Sequence, residues 1–127
     1  MTYYIAKTLT GSFDDVIARV VDALKAEGFG VLTEIDVAAT LKKKIDVDFR
    51  PYRILGACNP QMAHKALSAE DKIGVMLPCN VIVQQTENGV EVAAVDPVAS
   101  MQAVENPGLA DIAGPVKAAL TRVVESL

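Results

Sequence analysis

The two cysteines of the chain, Cys58 and Cys79, are each followed by an asparagine, Asn59 and Asn80. A thiolate is both a nucleophile and a soft metal ligand, so the surroundings that would create one matter most. Cys58 directly precedes Asn59-Pro60, which reads as a helix cap followed by a proline at the first helical position. The partial positive charge of a helix start lowers a thiol pKa. Packing competes for the same residue, with Cys58 set against Ala63 as a small hydrophobic staple. Cys79 follows Pro78, where a strand is expected to bulge or run at an edge, and such breaks re-aim a side chain toward a cleft. Buried packing competes there too. If the two Cys-Asn pairs are neighbours, two thiols and two amides converge.

Other side chains widen the options. His64, the single histidine, falls on the same side of a short helix as Gln61 and Ser68 and reads as an exposed helix residue. Cys58, His64 and Cys79 offer three zinc-type ligands without paired-cysteine spacing, so no metal is assigned and the cofactor is left unknown. Met101 adds a soft ligand, which brings a copper or haem-type site into view as the weakest of these options. Arg50 and Arg53 bracket Pro51-Tyr52 and form a two-pronged candidate grip on a carboxylate or phosphate, against the simpler reading of a solvated basic edge. Gly28-Phe29-Gly30 ends a helix instead of opening one, which removes a nucleotide-loop reading. Neither a Ser-His-Asp order nor a carboxylate pair stands out, so no catalytic residue is named.

These residues must be positioned by elements written in the same sequence. Residues 3 to 9 suit a strand ending at Gly11, and Ser12 caps a helix whose Phe13, Val16, Ile17, Val20 and Leu24 recur every three or four residues until Gly28. A second strand follows over 29 to 35, with Phe29, Val31, Thr33 and Ile35 alternating against Gly30, Leu32 and Glu34. Asp36 caps a two-turn helix that puts Lys42, Lys43 and Lys44 at its negative end. Tyr52 to Ala57 reads as a third strand, Asn59-Pro60 opens a helix to about Ala69, and the apolar run Ile73 to Val83 reads as a strand.

Asn88-Gly89 is the clearest turn signal and predicts a type I′ hairpin. With Glu87 opposite Val90, Gln85 meets Val92 and Val83 meets Ala94, while the second face pairs Ile82 with Val95 and Gln84 with Ala93. Asp96-Pro97 and Asn106-Pro107 repeat the cap-then-proline idiom. Leu109, Ile112, Val116, Leu120, Val123 and Leu127 form the stripe of a long final helix, in which Gly114-Pro115 predicts a kink or restart. The expected fold is α+β: a five-stranded, largely antiparallel sheet with helices packed on one face, a hairpin near the end and a long C-terminal helix.

Length and composition agree with one domain over residues 1–127. The 127 residues are 51% hydrophobic, enough for one core, and the net charge of −4 disfavours a phosphate-tracking surface, so no nucleic-acid partner is expected. The first residues lack a secretory pattern and the longest apolar run is too short to span a bilayer, so a cytoplasmic protein without a membrane partner is expected. Two cysteines in such a chain are expected to stay reduced.

The chain resembles the bacterial and archaeal family called domain of unknown function 302. The resemblance runs from Glu27-Gly28-Phe29-Gly30-Val31-Leu32-Thr33-Glu34-Ile35-Asp36, through Thr40-Leu41-Lys42-Lys43-Lys44, Phe49-Arg50-Pro51-Tyr52 and Leu55-Gly56-Ala57-Cys58-Asn59-Pro60, to Leu77-Pro78-Cys79-Asn80, Asp96-Pro97 and Met101. It implies an α+β fold and dimers, and attaches no biochemical activity.

Three functional readings follow. The first is a homodimeric ligand-binding or interaction module, because Ile82 and Val95 on the second face of the hairpin need cover. Its ligand-site candidates are Arg50, Arg53, Cys58, Asn59, Cys79 and Asn80, with a small molecule as the partner beside the second copy. The second is a thiol-dependent redox or metal-responsive protein using the two cysteines. The third is a small-molecule enzyme with a pocket where Arg50, Arg53 and Asn80 approach the helix start after Cys58.

Overall fold

The computed structural model describes residues 2–127. Its order is β1 (Tyr4–Leu9), α1 (Phe13–Ala26), β2 (Gly30–Asp36), α2 (Val37–Ile45), β3 (Tyr52–Cys58), α3 (Pro60–Ala69), β4 (Cys79–Thr86), β5 (Gly89–Val95), α4 (Pro97–Ser100) and α5 (Ala110–Glu125). The strands form one antiparallel sheet in the order β1-β5-β4-β3-β2. The expected α+β fold is the one observed.

Local chemistry explains where the helices begin. The side chains of Ser12, Asp36, Asn59, Asp96 and Asn106 each accept a backbone N–H two or three residues ahead, satisfying donors that a helical start leaves unpaired. Helix α1 ends at Gly28, whose φ of +85° lets the Phe29 N–H return to the Leu24 carbonyl at 2.9 Å. Its Val16, Val20 and Leu24 are fully buried, one helical turn apart, against a sheet face built from Leu55, Ala57, Val81, Val83, Val90, Val92 and Ala94. Helix α5 closes the same core with Val116, Leu120, Val123 and Val124.

The structure corrects five expectations. The hairpin pairs Val83 with Val92, Gln84 with Glu91 and Thr86 with Gly89, a register displaced by two residues from the expected one. Glu87 and Asn88 form the corner, and neither has a positive φ, so the turn is not type I′. A slip of two keeps every side chain on its face, which is why alternation alone did not expose it. Gly89 is needed for space as well: a Cβ there would lie 2.5 Å from the Leu9 carbonyl oxygen of neighbouring β1.

The alternation of β2 breaks between Val31 and Thr33, where Leu32 bulges out, so Val31 and Thr33 face opposite sides instead of sharing one. The apolar run from Ile73 is not one strand: Ile73–Met76 is a 3-10 turn, and β4 starts at Cys79, just after Pro78. Helix α5 runs unbroken through Gly114-Pro115 without a restart. Pro115 lies in its second turn, where only one backbone bond is forfeited and apolar packing on the sheet compensates.

A second, smaller core joins Ala66, Ile73 and Leu109, with Leu77, Met101, Val104 and Ile112 packed on it. It sits beside α3, beyond the sheet end where β3 stops and β4 starts. No helix among the described residues is long and apolar enough to cross a membrane.

Candidate functional site

A cavity of about 350 Å³ opens at the seam between the two cores. Its walls come from the ends of β3 and β4, the bulge of β2, one side of α3 and the first half of α5. Small side chains create the space: Ala63 and Ala66 on α3, Ala113 on α5 and Ala57 on β3 leave room that larger residues would fill. Sequence reasoning missed these alanines. The signal was their spacing beside Met62 and Leu67 on a helix that must face something apolar.

Cys58, Asn59 and Cys79 all line this cavity, and Met101 joins them. Register makes the two cysteines neighbours in the backbone, with alternation turning their side chains to opposite faces: Ala57 pairs with Cys79, and Cys58 is the next residue along β3. Both thiols are free and half-buried. Desolvation pushes the Cys79 thiol up from 9.0 to about 11, and negative charge at Cys58 adds to the rise. The Asn59 side chain is committed to the start of α3, where its Oδ1 accepts the Met62 N–H at 3.3 Å.

The remaining candidates lie elsewhere. Asn80 is exposed and lines a separate groove on the opposite, uncovered sheet face, with Tyr4, Tyr52 and Ile82. Strand alternation puts it there, one residue from Cys79. Arg53 is five residues from Cys58 along β3, roughly 16 Å at strand rise, and its guanidinium donates to Glu34 at 2.6 Å and pairs with Asp36 at 3.4 Å. Arg50 donates to Gln84 at 2.9 Å and stacks over the Phe49 ring at 4.4 Å. Neither arginine reaches the cavity. His64 is exposed on α3 and outside the cavity lining. Among the described residues, no group of three or more His, Cys, Asp or Glu side chains is placed to hold a metal ion.

The electrostatics of the cavity are simple. None of its lining side chains carries a charge; Thr33 and Asn59 are the polar ones beside the two thiols. Its outer wall depends on Asp96, only 7% exposed, whose carboxylate caps α4 and meets Lys117 Nζ at 3.0 Å. Burial alone would raise that carboxyl, but the Lys117 hydrogen bond and the Ala99 and Val98 N–H groups outweigh it and hold the pKa below 3.8. Pro97, the next residue, is part of the cavity lining.

The chain is similar to a crystal structure described as that of an uncharacterized conserved protein DUF302 from Bacillus stearothermophilus, with a TM-score of 0.91, 28% identity and 98% of each chain covered. No curated protein matches it. Residues 5–127 match the family described as Domain of unknown function DUF302, a span that holds all of the sheet but its first residue, all five helices and every residue of the cavity. By that match the chain belongs to the DUF302 family.

Proposed function

We propose that this protein is a small-molecule-binding module whose ligand is neutral and largely apolar. The cavity between the two cores carries this reading. Its volume of about 350 Å³ lies within the usual range for small-molecule sites. An ionic ligand would have to leave water for walls without a countercharge, at a cost of several kcal/mol per ion. A neutral ring system or short aliphatic chain loses nothing of that kind and displaces poorly held water. The walls are almost wholly apolar, so shape and apolar contact would orient it.

An enzymatic reading has less support, because Arg50, Arg53 and Asn80 do not approach the cavity. Thiol nucleophilicity is also weakened, since a pKa pushed to about 11 leaves Cys79 protonated near neutral pH.

A neutral fluorescent probe, N-phenyl-1-naphthylamine, tests the proposal. It should bind at one site per chain with enhanced, blue-shifted emission, and Ala63→Phe, which fills the cavity, should reduce affinity at least about tenfold while the far-ultraviolet circular dichroism is kept. An anionic analogue should bind more weakly. Equal binding by the filled variant would exclude this cavity.

Self-association is a second reading, favoured by the sheet face opposite the helices. Tyr4 and Ile35 are exposed there, and a groove of about 430 Å³ runs along β5, β4 and β3. A second copy is the occupant that would cover this face.

A further inference from the structure

Of the side chains that line the seam cavity, only Leu32, Thr33 and Leu67 are exposed, so these mark its mouth. Leu32 is 68% exposed and Leu67 45%. Apolar surface continues outward from Leu67 onto the 3-10 turn, where a Cβ on Gly74 would lie 4.0 Å from Leu67 Cδ2 and Val75 is 86% exposed. The bulge in β2 is what brings Leu32 to the rim: regular pairing is given up between Val31 and Thr33, and a leucine swings out. An irregularity that holds a large apolar side chain in water beside an apolar cavity has a use once something covers that side chain.

We propose that the ligand of this cavity is a linear, uncharged amphiphile, an alkyl chain with one polar end, held tail-inward and leaving the cavity between Leu32 and Leu67. The inference rests on the cavity reading above and adds the shape of the ligand, its orientation and the residues that select it. Orientation follows from the walls. A ligand that arrives through water carries a polar group, and the interior has little to pair with it. Two thiols are weak hydrogen-bonding partners, the Asn59 Oδ1 already caps α3, and Thr33 stands at the mouth. Burying the polar group unpaired would cancel much of the apolar gain, so that end stays in water beyond the rim.

Shape follows from the rim. A compact ring that fits between the cores leaves Leu32 and Leu67 exposed. A chain that continues past them takes their outer surface from water as well, and so binds more tightly for the same cavity.

Displacement of N-phenyl-1-naphthylamine from the full chain by hexanol, octanol, decanol and dodecanol, each a straight-chain primary alcohol below its solubility limit, tests this. Affinity should rise about fourfold per methylene across the series. Leu32→Ser and Leu67→Ser, with circular dichroism unchanged, should keep hexanol and naphthylamine binding within about twofold but weaken dodecanol at least about fivefold. Cyclododecanol, with the same carbons closed into a ring, should bind at least about tenfold more weakly than dodecanol. So should the dodecanediol with a hydroxyl at each end, which must bury one of them. Equal binding by the ring or the diol, or dodecanol affinity unchanged in both leucine variants, overturns this inference while the naphthylamine site stands. No naphthylamine binding by the wild type overturns the cavity reading and this inference together.

Discussion

Cys79 packs against the main core as the first residue of β4, and burial sets its chemistry. With the thiol pKa pushed up to about 11, the thiolate fraction at pH 7 is on the order of one in ten thousand. In Cys58→Ser, where desolvation remains as the larger cause, alkylation of Cys79 should speed up about tenfold per pH unit from pH 7 to 9 without levelling off. A plateau by pH 9 would show an ordinary thiol. The same shift couples to stability. A folded-state pKa raised above the unfolded value gives a contribution that is complete below about pH 9 and lost as pH rises through about 11, and urea midpoints of wild type and Cys79→Ser should converge over that window.

At this scale the sequence was partly legible. The Asn59-Pro60 idiom placed Cys58 at a helix start because capping is local chemistry. The separation of Asn80 from Cys79 follows from strand alternation, yet it needed to be known which side the cavity takes. Arg50 and Arg53 looked free because their partners, Gln84 and Glu34, are far away in sequence.

Elements were easier to read than their contacts. Five capping residues, two amphipathic helices and the order of strands and helices are short-range properties, and all could be inferred from spacing. The hairpin register and the β2 bulge were not accessible in that way, since a two-residue slip leaves each face unchanged and a bulge depends on what must pass beside it. At Gly56 of β3 the partner of that bulge is visible. A Cβ there would sit 2.1 Å from Thr33 Oγ1 and 2.8 Å from Pro78 Cγ. Gly56→Ala should therefore destabilise the protein by about 1–3 kcal/mol in urea unfolding, and adding Thr33→Ala should recover part of it while Pro78 still obstructs. A Gly56→Ala variant as stable as wild type would contradict the close packing of β2 and Pro78 over β3.

For the whole molecule, the sheet divides two surfaces with different uses. Its helix face is filled except for the seam between the cores, which no local pattern announces because three segments distant in sequence meet there. Its other face is uncovered. Five strands spaced by about 4.8 Å, each of six to eight residues, give a face of roughly 500 Å². Two copies pairing through it would bury about 1,000 Å², at the low end for a specific interface. Sedimentation at micromolar concentration should then show a dimer in exchange with monomer, which Ile82→Arg shifts to monomer without loss of naphthylamine binding. A wild-type monomer at every accessible concentration would remove the self-association reading and leave the cavity untouched.

The cavity itself is tested most directly by methionine methyl resonances. Met62 and Met101 line it, whereas Met76 lies outside on the 3-10 turn. In a ¹³C-methyl-methionine spectrum titrated with N-phenyl-1-naphthylamine, the Met62 and Met101 signals should move together and saturate at one equivalent while Met76 stays in place. A titration that leaves both still, or that moves Met76 alone, would contradict a ligand site between the two cores.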